Sequence, residues 1–178
     1  MDLVIEPLEA ATALRLGPEL SRLLEDAVES GASIGFLPPL APGEADAYWA
    51  TVVAAVRDGS RILLGARDAG GRVVGSAQLD LVTRPNGRHR AEVMKLMVHT
   101  RARRRGIGRA LMLAAEQEAR RRGRSTLVLD TRRGDPSERL YAGVGYTLAG
   151  VIPEYARSGG GRLDPSAFYF KLLEGGTA

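Results

Sequence analysis

The chain has 178 residues, of which 44% are hydrophobic and 26% charged, with a net charge of +4. That is the composition of one globular domain with enough apolar residues for a core, and it excludes disorder as the dominant state. There is no cysteine and only two histidines, His89 and His99, which excludes disulfides, thiolate zinc sites, cysteine nucleophiles and a three-histidine metal centre.

Residues 2–6 read as a short strand. Leu16, Leu20, Leu23, Leu24, Ala27 and Val28 recur at helical spacing, with Gly31 as a stop signal. Gly17-Pro18 is expected to break or restart that helix. Residues 31–42 fit no regular element. Trp49, Val52, Val53 and Val56 mark a second helix that ends before Gly59. Residues 61–66 and 73–82 read as strands joined by a hairpin turn at Asp68-Ala69-Gly70-Gly71. Arg84-Pro85-Asn86-Gly87 is another turn, and residues 91–98 are a further strand. Helical spacing returns from Ile107 to Arg122 and stops at Gly123. Leu127-Val128-Leu129 reads as a short buried strand ending at Asp130. A short helix over about 136–143 and strands at about 145–151 and 165–172 complete the order. This is an α/β (α+β) pattern, a mixed sheet with helices packed on it. One domain is expected over residues 1–173, with a flexible tail at 174–178. Residues 1–6 lack the basic and apolar regions of a signal peptide, and no apolar run approaches the ~18 residues of a membrane span. A cytoplasmic chain without membrane attachment is the expectation.

The segment from Val98 to Leu111 carries the most chemical information. A strand ends, a loop with Gly106 and Gly108 follows, and a helix begins. Unpaired N–H groups at a helix start favour an anion, glycines admit it to the backbone, and arginines supply bidentate donors. The pattern suits a pyrophosphate. It is neither a Walker loop nor a complete dinucleotide fingerprint. A solvated basic helix start is the plain alternative. Nucleic-acid binding is a second one, because nine arginines fall between Arg101 and Arg124. The cluster lacks interleaved aromatics, so no nucleic-acid partner is expected.

Arg103-x-x-Gly106-x-Gly108 matches the Gln/Arg-x-x-Gly-x-Gly/Ala signature of the GNAT superfamily of N-acetyltransferases. Ser137-Glu-Arg-Leu-Tyr141-x-x-x-Gly145-Tyr146, after Leu127-Val-Leu-Asp130-Thr131, resembles the second half of that family's acetyl-CoA site. Fragments along almost the whole chain are also similar to one subgroup, the tabtoxin resistance acetyltransferases. They include Gly31-Ala-Ser-Ile-Gly-Phe36, Arg90-Ala-Glu-Val93, Lys95-Leu-Met-Val98 and Phe168-Tyr-Phe-Lys171. The chain departs from the family at Gly134, where many members carry an Asn. Asp135 or Ser137 is the candidate replacement.

The resemblance implies a GNAT fold, a mostly antiparallel sheet of six to seven strands with splayed central strands and flanking helices. It implies direct transfer of acetyl from acetyl-CoA to a primary amine of a small molecule, with antibiotic or toxin resistance as a use and coenzyme A as product. A non-catalytic module that senses acyl-CoA or binds nucleic acid is the alternative on the same fold. The implied cofactor contacts are Leu96, Met97, Val98, Arg103, Arg104, Arg105, Gly106, Ile107, Gly108, Arg109, Asp130, Thr131, Ser137 and Tyr141. Catalytic candidates are Glu92 or Asp130 as the base and Tyr141 as the acid that protonates the departing thiolate. Tyr146 is read as core. Phe36, Trp49, Glu92 and Tyr155 are expected around the acceptor. No metal is expected, and the family admits a homodimer.

Overall fold

The structure is a computed structural model that describes residues 3–173. The expected tail at 174–178 lies outside the described residues. Among the described residues, seven strands form one sheet in the order β1-β2-β3-β4-β5-β7-β6. They are β1 Val4–Pro7, β2 Arg61–Arg67, β3 Val73–Leu81, β4 Arg90–Val98, β5 Thr126–Arg132, β6 Thr147–Arg157 and β7 Leu163–Leu172. β4 and β5 run parallel, and every other neighbouring pair is antiparallel. The helices are α1 Ala10–Arg15, α2 Gly17–Glu29, α3 Glu44–Arg57, α4 Ile107–Arg121 and α5 Ser137–Gly143.

Each helix follows from its sequence. Pro18 sits in the first turn of α2, where its missing N–H costs nothing, so α1 stops and α2 restarts one residue later. In α4 the residues Ile107, Leu111, Ala115 and Ala119 recur every fourth position and are all buried. They pack with Met112 on one sheet face against Leu64, Leu79, Val93, Leu127 and Leu129. The other face is covered by Leu20, Leu24, Ala27 and Val28 of α2 and Trp49, Val52 and Val53 of α3. There they meet Leu63, Val73 and Met97 of the sheet. Those two helices lie over the first half of the sheet and leave the same face of the second half open to the site described below.

The sheet parts at its centre. β4 pairs with β5 only through Arg90–Glu92 opposite Thr126–Val128. Both strands continue, β4 to Val98 and β5 to Arg132. β5 instead stays paired along its whole length with β7, from Thr126↔Leu172 to Arg132↔Ser166. The facing edges of β4 and β5 therefore diverge beyond Glu92 and Val128. The predicted splay and mostly antiparallel topology are both present.

Two strands are longer than their apolar runs. β5 extends past Leu129 because residues 130–132 complete the ladder with β7. Asp130 therefore lies inside a strand rather than at its end. β6 extends from the expected 151 to Arg157, across a register shift between Ile152 and Ala156 where Glu154 adopts φ 50°. A second irregularity falls between Ser76 and Gln78 of β3, where Lys95 of β4 bulges out at φ 51°.

Candidate active site

The anion cradle forms where β4 gives way to α4. Gly106 caps α4 at φ 81°, a left-handed conformation that other residues resist, and a Cβ there would meet open space. Gly108 serves packing instead, because a Cβ would lie 3.3 Å from Leu140 Cδ2 of α5. The first N–H of this segment with a backbone acceptor is that of Ala110, bonded to the Gly106 carbonyl at 3.0 Å. Among the described residues, the N–H groups of residues 104–109 have no protein acceptor. They form a nest of donors at the positive end of a 15-residue helix.

The arginines divide in a way the sequence did not show. Arg103 does not face the cradle. Its Nε donates to the Val98 carbonyl at 3.0 Å and its guanidinium to Ser30 Oγ at 2.6 Å, so it fastens the loop to the end of α2. Arg109 donates to the Gly143 carbonyl at 2.9 Å and holds the C-terminus of α5. Arg104, with φ 62°, and Arg105 are exposed and make no side-chain hydrogen bond or ion pair among the described residues. Of the three arginines Arg103, Arg104 and Arg105 and the helix residue Arg109 expected at the cofactor, these two are left for an anion. Ile107 and Met97 bury their side chains in the core, so only their backbone is available to a ligand. Leu96 and Val98 pack against the α4 core in the same way.

Tyr141 of α5 is 7% exposed, between Tyr146 and Tyr169 at centroid distances of 6.2 and 5.9 Å. Burial first, then the charges of Asp130 and Asp135, raises its pKa and keeps the phenol protonated. Its hydroxyl has no hydrogen-bond partner among the described residues. Tyr146 is core, as expected, and its hydroxyl is enclosed without a partner. Thr131 and Ser137 satisfy each other, with 2.8 Å between their hydroxyls. Gly134 has φ 90° and donates its N–H to Glu138 Oε1 at 2.6 Å, a conformation that explains the glycine. Asp135, the other candidate replacement there, is bound to Arg132 Nε at 3.0 Å.

Across the sheet, Glu92 stands where the strands part, opposite Asp80 on β3 and Val128 on β5. Its carboxyl is half-buried, and its pKa is raised by burial, then by Asp130 and Asp80, against the opposing pull of Lys95 and Arg61. Asp130 is exposed and accepts from Ser166 Oγ at 2.7 Å. A polar line continues along β3. Arg61 pairs with Asp80 at 3.1 Å, and Gln78 is bonded to the Tyr48 hydroxyl at 2.9 Å. Phe36 meets Tyr48 edge-on at 5.1 Å. Tyr155, half-exposed, stacks edge-on against Phe168 at 5.1 Å.

A cleft of about 580 Å³ opens between residues 31–38, Arg132 at the end of β5, and the β6–β7 turn. Gly159 of that turn lies directly under Pro38, where a Cβ would come within 2.8 Å. The loop and the turn therefore wall one cleft, and Phe36, expected around the acceptor, lines it. Trp49 does not reach it. The indole is 2% exposed in the α2–α3 core, because its position on α3 faces the sheet. Its neighbour Tyr48 packs against Phe36, which does line the cleft. Asp164 is likewise unavailable to an amine, being buried against Arg162 at 2.7 Å. The sequence reading also passed over Lys95, Gln78, Tyr48, Arg61 and Asp80. Period-2 alternation along β3 and β4 could have placed Gln78, Asp80 and Glu92 on one face. The bulge at Lys95 breaks that period and hid the lysine.

The sequence model of the acetyltransferase (GNAT) family matches residues 21–146, most of the chain and all of the parted strands and cradle. The chain belongs to the GNAT family. It is 36% identical over 124 residues to an uncharacterized N-acetyltransferase encoded in the hisH-hisA intergenic region of Azospirillum brasilense, covering 67% of this chain and 71% of that one. Among solved structures it resembles a ribosomal-protein-alanine N-acetyltransferase from Brucella melitensis. That match has 26% identity and a TM-score of 0.79, over 96% of this chain and 99% of that one. It also resembles a phosphinothricin acetyltransferase from Sinorhizobium meliloti solved in complex with acetyl-CoA. There the identity is 22% and the TM-score 0.82, over 99% of this chain and 91% of that one. The chain is thus an N-acetyltransferase of the GNAT fold. Among the described residues no group of three His, Cys, Asp or Glu side chains is placed to hold a metal ion, and no helix is long and apolar enough to cross a membrane.

Proposed function

We propose that this GNAT enzyme transfers acetyl directly from acetyl-CoA to a primary amine of a small molecule. The observation that carries the reading is the gap between β4 and β5, which has the unpaired N–H cradle at one end and Glu92 at the other. The cradle suits a diphosphate and the free edge of β4 suits an extended amide chain, so the residues present fit coenzyme A.

When bound, acetyl-CoA supplies an activated thioester. The N–H groups of residues 104–109 hold the diphosphate, with Arg104 and Arg105 beside them. The β4 edge beyond Glu92 donates to the thioester oxygen. An alkyl ammonium with a pKa of ~10.4 must lose a proton before it can attack. Glu92 accepts that proton, directly or through water. Its raised pKa makes it a better base than an exposed carboxylate. Asp130 tunes Glu92 by its charge and is the lesser candidate, being bound to Ser166. The amine nitrogen would bond to the acetyl carbon as the carbon–sulfur bond breaks, the Tyr141 hydroxyl would protonate the sulfur, the second proton of the nitrogen would pass through water to restore Tyr141, and Glu92 would release its proton to solvent.

An amine-bearing antibiotic or toxin is the proposed acceptor, in keeping with the phosphinothricin acetyltransferase above and the tabtoxin resistance subgroup. A cytoplasmic site of action accords with that role. A second copy of the chain is the proposed partner. The edge strand β6 exposes Leu148, Val151, Ile152 and Tyr155.

The test is thiol release from acetyl-CoA with an amine panel. Glu92→Gln and Tyr141→Phe are each expected to lower kcat by about 10²–10⁴. Undiminished turnover in both variants rejects the roles assigned.

A further inference from the structure

Lys95 is the one lysine in the site, and the catalytic steps above do not use it. It sits on the bulge of β4, held at φ 51° where a non-glycine residue is strained. The bulge throws its side chain onto the open face of the sheet. There Nζ lies over the rings of Phe36 and Tyr48, at 5.8 and 5.9 Å from their centroids. Gly35, a wall of the cleft, makes room for it. A Cβ on that glycine would come within 3.3 Å of Nζ. Among the described residues no carboxylate or other acceptor pairs with this ammonium. Tyr48 is itself fixed by Gln78, so the ring platform is rigid.

A half-buried lysine is ordinarily paired. Here the charges of Glu92, Asp130 and Arg61 act on it, and among the described residues none forms an ion pair with it. Burial first, then Arg61, lowers the Lys95 pKa, so its charge gains from an anionic neighbour. A partner that enters with the acceptor would supply one. Glu92 and Asp130 limit that partner to a single negative charge, because a phosphate dianion would face both carboxylates.

We infer that Lys95 binds a carboxylate of the acceptor, so that the preferred amine is an amino acid whose amino group lies toward Glu92 and whose carboxylate lies beside Lys95 Nζ. This inference rests on the acetyl-transfer reading above and names its substrate class.

The experiment compares initial rates of thiol release, with saturating acetyl-CoA, for the standard L-α-amino acids, their C-terminal amides and the corresponding decarboxylated amines. Wild-type enzyme is expected to favour an acid over its amide at least tenfold in kcat/KM. Lys95→Met is expected to abolish the preference, raising KM for that acid at least tenfold more than KM for its amide. Lys95→Arg is expected to retain the preference. Thermal melts establish that each variant is folded. Equal loss for acid and amide, with a shifted pH profile, would assign Lys95 to tuning Glu92 and overturn the inference alone. Equal or better use of the amides by wild-type enzyme would do the same. Absence of turnover with every amine overturns the transferase reading, and the inference with it.

Discussion

At Glu92 the demands of chemistry and stability oppose each other. Burial and two neighbouring carboxylates raise its pKa above the ordinary glutamate value. The folded state therefore holds the proton more tightly than the unfolded chain. The resulting penalty is absent below the unfolded pKa and grows as pH rises through the folded one. Glu92→Gln is expected to melt higher than wild type at pH 7 and at the same temperature near pH 4, while turnover falls. A paired thermal melt at the two pH values checks this, and a lower melting temperature at pH 7 would contradict the assigned environment. Tyr141 is shifted in the same direction, so its hydroxyl keeps its proton throughout the working range and is a weaker acid than a free phenol.

At the scale of the element, the start of α4 shows two glycines with different tasks. Gly106 is required by its φ of 81° alone, since its surroundings are open. Gly106→Ala is expected to cost about 1–2 kcal/mol in urea unfolding and to raise KM for acetyl-CoA by turning N–H donors away from the diphosphate. Gly108→Ala should cost less, because the Leu140 side chain can yield by a few tenths of an ångström. If the two substitutions raise KM equally, the nest of N–H groups is not the anion site. Much of α4 itself was legible in the sequence, because its apolar residues fall every fourth position. The partners of Arg103 and Arg109 were not legible, because both lie on helices remote in sequence, at Ser30 and Gly143.

Across the molecule, α2 fastens the cradle to the rest of the fold. Asp26 accepts from the Thr100 N–H at 2.8 Å and from its hydroxyl at 2.6 Å, and faces His99 Nδ1 at 3.3 Å. With Arg103 on Ser30, this pins the loop between β4 and α4 to a helix more than 70 residues earlier in the chain. Asp26→Ala touches no proposed ligand. It is expected to raise KM for acetyl-CoA severalfold with little change in kcat. Amide exchange at residues 99–103 should quicken in step. Unchanged exchange would show that the loop is held by its own geometry.

Local rules determined a good deal. Hydrophobic spacing set the order of helices and strands, Gly17-Pro18 set the break between α1 and α2, and the glycines after Val98 set the turn proposed to hold the diphosphate, because each depends on residues within a few positions. The resemblance of motifs supplied the family and the roles proposed for Glu92 and Tyr141. Tertiary structure decided the rest. The gap between β4 and β5 opens because each keeps its other neighbour, β4 following β3 across the bulge at Lys95 and β5 following β7 to Arg132, pairings between elements remote in sequence. Trp49 went to the core and Tyr48 to Phe36 and Gln78 because helix phase, fixed only by packing, turns adjacent side chains about 100° apart. Lys95 entered the site through one extra residue in a ladder, and periodicity cannot foresee a bulge that the pairing of two strands creates.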